Sequence, residues 1–512
     1  MRIRKYLTFL VLGALLFSAC EVDYLDDPNE PEVAPTAGLM SRVQKQLMND
    51  TRDEWFSGRM SLLWVQYWNQ VNYTEEDRFQ YRETVNKGGW DDIYANARDL
   101  KSIIDINTDP ELKIDAATEA PNDNQIAAAR IMLAYIFQLA TNVWGDIPYY
   151  SYGGDNADFN ALSGDEDVLT PTYARQADIY ADLLKELDEA QSMIIEDANM
   201  INGDNLYDGN AVQWKKFANS LRLRIANRIK GVAPDLANDH INDALAEGVF
   251  ESNADNAVIY FENSALNGAP MYRAFYVENR TDFAPSYSFV ELLKGNRGPF
   301  GTEDPRLPIY VAPNGDGFYY GVPLASGNGP VRTYVHESLP GDIVLSSTYG
   351  EVYMEYSEVC FILSELNGWD QTWYERGVEA SMRKWGVDGT DIQSYLSNLP
   401  PASEENVMTQ KYIALYMQPY EAWSDIRRTG YPTTLIKPNE TYTVTTQFYN
   451  DEDQLETIDQ EYTFDPIVDL SVDVPTRVSY LLNEASVNSA NLEEAISNMG
   501  GDSMDIPLWW ME

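Results

Sequence analysis

The run Gln125-Ile-Ala-Ala-Ala-Arg-Ile-Met-Leu-Ala-Tyr-Ile-Phe-Gln-Leu-Ala-Thr-Asn-Val-Trp144 decides the fold class. Ile126, Ala129, Leu133, Ile136, Phe137, Ala140 and Trp144 recur at three- and four-residue intervals, the spacing of one helix face, and Gly145 follows as a natural C-cap. The same period continues downstream. Residues 172–195, entered after Pro171, align Ile179, Leu183, Leu184, Leu187, Ala190 and Ile194, and Trp214, Phe217, Leu221 and Ile225 mark a third helix. Residues 353–366 and 373–385 read as a helix pair joined by the turn Asn367-Gly-Trp-Asp. Such pairs are the unit of helical-repeat folds, although no fixed sequence period is present. Between the helices, residues 263–288, 295–350 and 438–475 are rich in Gly, Pro, Asn and aromatics and read as long loops. Tyr442-Thr-Val-Thr-Thr-Gln-Phe and Glu461-Tyr-Thr-Phe alternate as the strands of a hairpin. The expected architecture is predominantly α, with helix pairs, a looped irregular second half and minor β.

Composition narrows the functional classes. With 512 residues, 44% hydrophobic and 12% aromatic, the chain can bury a large core. Its formal net charge of -45 excludes the basic footprint that a nucleic acid or an anionic leaflet requires. Tyrosine is abundant, 34 residues beside 12 Trp, and its ring serves cores and sugar-binding surfaces alike.

The N-terminus suggests another route to a membrane. Arg2, Arg4 and Lys5 precede an apolar stretch from Tyr6 to Phe17 that is too short to span a bilayer, and Ser18-Ala19 lead into Cys20. This junction resembles a bacterial lipobox. Residues 1–19 are therefore expected to be a signal peptide, Cys20 the lipidated residue, 20–35 an acidic tether and 36–512 a single domain. Each buried acyl CH₂ contributes ~0.8 kcal/mol, so the lipid alone would hold the protein to the outer membrane. Glu21, Asp23, Asp26 and Asp27 resemble a surface-export signal of outer-membrane lipoproteins. With Cys20 acylated, the one other cysteine, Cys360, has no disulfide partner and is expected in the core.

Several segments together carry a family resemblance. They are Asn142-Val-Trp-Gly-Asp-Ile-Pro-Tyr-Tyr, Trp214-Lys-Lys-Phe-Ala-Asn-Ser-Leu-Arg-Leu-Arg-Ile-Ala-Asn-Arg, Asp304-Pro-Arg-Leu, Tyr356-Ser-Glu-Val-Cys-Phe-Ile-Leu-Ser-Glu, Gln410-Lys-Tyr-Ile-Ala-Leu-Tyr, Glu421-Ala-Trp-Ser-Asp-Ile-Arg-Arg-Thr-Gly-Tyr-Pro and Val474-Pro-Thr-Arg-Val-Ser-Tyr. In this order, and with a terminal Trp509-Trp510, the chain resembles the SusD/RagB family, in its SusD-like branch. The resemblance implies tetratricopeptide-like helix pairs, oligosaccharide or in some members peptide binding, and a SusC-like TonB-dependent transporter as partner. The 438–475 tract is longer than that family leads one to expect and reads as an insertion.

Enzymatic readings find little support. The 81 Asp and Glu residues single out no glycosidase pair, and the two histidines, His240 and His336, are too few for a multi-histidine metal site. No nucleophile-elbow, zincin or phosphate-loop motif occurs. No cofactor is expected, apart from a structural Ca²⁺ that Asp155, Asp158, Asp165, Glu166 and Asp167 could hold. Arg222, Arg224 and Arg228 are expected to pair internally with acids.

Saccharides offer C–H faces that stack on aromatic rings and hydroxyls that need polar partners. Two loop clusters supply both. Tyr73, Phe79 and Tyr81 lie among Asn72, Asp77, Arg78 and Gln80, after a presumed Trp64/Tyr67/Trp68 helix. Tyr272, Phe275, Tyr276, Phe283 and Tyr287 alternate with Arg273, Asn279, Arg280 and Asp282. The expected ligand contacts are Tyr73, Phe79, Tyr81, Tyr272, Tyr276, Phe283 and Tyr287. The competing reading is that these rings pack the looped half onto the helices. Peptide capture by the same architecture, or a surface glycosidase, are the alternative functions.

Overall fold

The structure, a computed structural model, describes residues 34–154, 156–163, 169–324, 338–450 and 452–511. The signal segment, Cys20, nearly all of the tether, His336 and every acidic-loop carboxylate named above except Asp158 lie outside the described residues.

The first half is a stack of helices. These are α1 (Thr36–Thr51), α2 (Glu83–Thr108), α3 (Asn122–Trp144), α4 (Gln176–Met193), α5 (Ala211–Arg228) and α6 (Pro234–Glu247), and each packs along the next. The decisive run is the central helix, α3. Every residue from Asn124 to Trp144 is buried, because α2 covers one side and α4 the other. Its length and apolarity would suit a bilayer, but here they serve a core. Gly145 ends it at φ 92°, as expected of a C-cap. A second group follows: α7 (Tyr356–Leu366), α8 (Gln371–Lys384), α9 (Gly389–Asn398), α10 (Glu404–Ala414) and α11 (Pro419–Thr429). The fold is thus predominantly α and built on helix pairs.

Strands are short: β1 (Trp68–Gln70), β2 (Ala257–Tyr260), β3 (Phe283–Pro285), β4 (Gly350–Met354), β5 (Thr441–Tyr449) and β6 (Leu455–Thr463). Each sheet among the described residues has two strands. β5 and β6 form the expected hairpin, in a register that sets Tyr442 opposite Tyr462. Two boundaries differ from expectation. Tyr353 and Met354 belong to β4, so α7 starts later than the apolar pattern suggests. The presumed Trp64/Tyr67/Trp68 helix ends at Trp64, and Trp68 opens β1, because its backbone pairs with Pro285.

The segments that carry the family resemblance meet in the interior. Arg224 of α5 donates its Nε to Glu358 of α7 at 2.7 Å, and Arg228 pairs with Glu421 of α11. Lys411 of α10 holds Asp425 at 2.6 Å, and Arg428 grips Glu365 with both guanidinium arms. These cations depress the Asp425 carboxyl to about 2 against its burial. Removing one member would strand its buried partner, which makes the cluster a strong constraint on how the helices dock. Arg306 likewise clamps Asp304 at 2.6 Å and reaches Gln410. Arg222 pairs with Asp188 at 2.9 Å and donates to His240 Nδ1. The internal pairing expected for the α5 arginines is therefore present. Cys360 is buried, and burial pushes its thiol up to about 12.

Candidate ligand-binding face

The two aromatic loops, far apart in sequence, are joined at their bases. β1 and β3 pair antiparallel, Trp68 opposite Pro285 and Gln70 opposite Phe283, and the Val71 N–H donates to the Asp282 carbonyl at 2.7 Å. Buried Arg59 completes the joint. It donates to Asp282 of the second loop at 3.0 Å and to Glu76 of the first at 3.4 Å. Glu76, its side chain fully buried, also takes Arg82 Nε at 2.6 Å and the Gln70 amide at 2.9 Å. Arg59 itself lies in a short π-helical turn, Ser57–Ser61, and the second loop contains another, Arg273–Val277, a rare geometry that recurs at functional sites. Tyr73, Phe79 and Asn279 hold φ of 57°, 70° and 55°, uncommon outside glycine.

This frame sorts the expected ligand contacts. Tyr73 is 54% exposed and lies 5.9 Å beneath the Arg82 guanidinium; Tyr276 is 61% exposed, with Tyr272 tilted against it at 5.6 Å. These rings present open faces. Phe79 and Phe283 do not. Phe79 is buried edge-on against Phe464 at 5.3 Å, and Phe283 lies wholly buried beneath Arg59 and beside Trp68. Being apolar throughout, they gain more from the core than from solvent, and they anchor the loops instead of meeting a ligand. Phe275 is buried too. Tyr81 is half-buried, its phenol raised chiefly by burial and bonded to Ser479. Tyr287 is half-buried, stacked on Tyr442 of the hairpin at 5.2 Å with its hydroxyl donating to the Thr443 carbonyl. The hairpin therefore caps Tyr287.

One ring escaped the sequence reading. Trp55 is half-buried between the guanidinium groups of Arg59 and Arg280, each 4.9 Å from its centroid. Its setting, Asp53-Glu54-Trp55-Phe56, shows an aromatic among acids but no loop signal. Tyr73 under Arg82 on one loop, the Tyr272–Tyr276 pair on the other and Trp55 under Arg280 are the rings and cations that flank the Arg59 joint. No group of three or more His, Cys, Asp or Glu among the described residues could hold a metal.

Known proteins resemble this chain along most of its length. A family profile described as "Starch-binding associating with outer membrane" matches residues 28–448, and one described as "Susd and RagB outer membrane lipoprotein" matches 402–511. No curated protein matches by sequence. Among solved structures, a chitin-binding protein superposes with TM-score 0.71 at 25% identity, over 93% of this chain and 100% of its own. A chitin-binding SusD homolog from Flavobacterium johnsoniae gives 0.69 at 22%, over 93% and 98%. A SusD homolog from Bacteroides uniformis gives 0.70 at 23%, over 94% and 100%. The chain belongs to the SusD-like family of outer-membrane proteins.

Proposed function

We propose that this protein captures oligosaccharides at the cell surface and passes them, chemically unaltered, to a SusC-like TonB-dependent transporter. The observation that carries this reading is the exposure of Tyr73 and Tyr276 on two loops joined by buried ion pairs, in a member of a family described as starch-binding. A preformed platform loses little side-chain entropy on binding. Two structural relatives are themselves chitin-binding proteins. Lipidation at Cys20 would anchor the protein, and the acidic residues after it would direct it to the outer leaflet. The second reading, peptide capture, draws on the net charge of -45, which would attract cationic peptides. A glycan array run against a peptide library separates the two. Incubation with bound oligosaccharides, followed by an assay for new reducing ends, tests the absence of glycosidase action; new ends would overturn it.

A further inference from the structure

A cleft of ≈ 840 Å³ opens between the start of α5, the β2–β4 sheet and the end of α8. Its size falls in the range of roughly 300–1,000 Å³ typical of small-molecule sites. It shares no residue with the Tyr73–Tyr276 face. We propose that this cleft is a second binding site for neutral saccharide, seated on Tyr260.

The argument begins at the sheet. β2 and β4 pair antiparallel with Tyr260 opposite Gly350. A Cβ at Gly350 would stand 2.7 Å from the Tyr260 ring and 2.8 Å from Val258 Cγ1. Gly350 is not among the residues with positive φ, so the backbone does not demand glycine there; the ring does. An aromatic laid over a glycine on the facing strand is held in place by the sheet itself. Tyr260 is nevertheless 75% exposed, an extreme value for a ring fixed on a strand. Its outer face is a ready platform.

Two residues of the cleft wall carry unpaired polar atoms that are sealed from solvent. Trp385 is 4% exposed and stacks on Tyr349 at 6.1 Å, yet its indole N–H has no partner among the described residues. Asn253 Oδ1 also lacks a partner, while its amide nitrogen is fixed by the Ala380 carbonyl at 2.9 Å. A buried donor or acceptor left unmade is costly, so an occupant whose groups reached these two atoms on a small shift of the wall would gain both bonds. Hydroxyls do. Charge argues against an ionic occupant: Arg383 is paired with Glu379 at 2.7 Å, Lys384 with Glu355 at 3.0 Å, and Asp204 accepts the Trp214 indole N–H at 2.8 Å. Asp208 also lines the cleft, so with both cations neutralised an anion is disfavoured, and the aromatic platform fits an uncharged ring better than a bare cation.

The test titrates full-length protein calorimetrically with chito-, malto- and xylo-oligosaccharides of five to six units. The variants are Tyr260→Ala, Tyr260→Phe, and Tyr73→Ala combined with Tyr276→Ala. Thermal melts confirm that each is folded, which is expected since all three rings are exposed. Two sites are expected in wild type for at least one sugar. Tyr260→Ala should lose one of them, with affinity there reduced about tenfold or more, and Tyr260→Phe should retain it. The loop double variant should keep the Tyr260 site. A single site abolished by the loop variant and untouched by Tyr260→Ala overturns this proposal while leaving the proposed function standing. A single site abolished by Tyr260→Ala supports the cleft and removes the loop face. No saccharide uptake by wild type overturns both.

Discussion

Arg59 and Asp282, 223 residues apart in sequence, meet at 3.0 Å beneath the aromatic face. Because Arg59 also holds Glu76, its guanidinium links one aromatic loop to the other. Arg59→Met should take from Asp282 its buried cation and from Glu76 one of its two, Arg82 remaining, and cost about 3–5 kcal/mol of stability. Asp282→Asn should cost less, since its side chain reaches the edge of solvent. Urea denaturation of the two variants checks the order; equal and small losses would show that the joint is not ionic.

Phe79 and Tyr276, both expected at the sequence level to touch ligand, should separate cleanly. Phe79→Ala should destabilise the fold by about 3–5 kcal/mol, as truncation of a buried Phe does. Tyr276→Ala, truncating a ring that is 61% exposed, should leave the melting temperature nearly unchanged. Paired thermal melts decide it.

The helices were legible because their stripes recur at the helical period, as in α3 and α4. α1 and α2 were not read although each carries such a stripe, Met40, Val43 and Leu47 on one and Trp90, Ile93, Ala97 and Leu100 on the other. α2 contains Gly88-Gly89, which local propensity assigns to a loop; Gly89 is instead the place where the Phe56 ring lies against the helix. The candidate face was legible as composition, not as geometry. Nothing local distinguishes Phe79, turned inward against Phe464, from Tyr73, turned outward, because both orientations are set by the β1–β3 pairing and the Arg59 joint. Trp55 was missed for the same reason: its partners Arg59 and Arg280 converge only in three dimensions.

Glu351 makes stability depend on pH. It is buried on β4, neither carboxylate oxygen has a hydrogen-bond partner among the described residues, and burial raises its carboxyl to about 8 against the pull of Arg52 and Lys384. The folded chain keeps a proton there that the unfolded chain releases above about pH 4. Stability from this group is therefore complete below that pH, falls as pH rises and levels off above about 8. Burial also raises Asp50 and Asp146, each to about 6, so their part of the decline ends earlier. Glu351→Gln should flatten the slope between pH 6 and 8, measured by melts across that interval; an unchanged slope would assign it elsewhere.

Cys20→Ala should convert the protein from membrane-bound to soluble or mis-sorted, since an anionic leaflet repels a chain of net charge -45. Fractionation of cells expressing wild type and variant provides the measurement. Equal membrane partitioning would refute lipidation as the anchor.

The central claim, that neutral saccharide stacks on the loop face, is tested most directly by calorimetric titration of wild type and Tyr276→Ala with a bound oligosaccharide at low and high salt. Loss of a stacked ring should weaken binding by about 1–3 kcal/mol, and ring contacts with an uncharged sugar should leave the wild-type affinity nearly independent of salt. Wild-type affinity in the variant would contradict the placement, and a steep salt dependence would contradict the saccharide in favour of a cationic peptide.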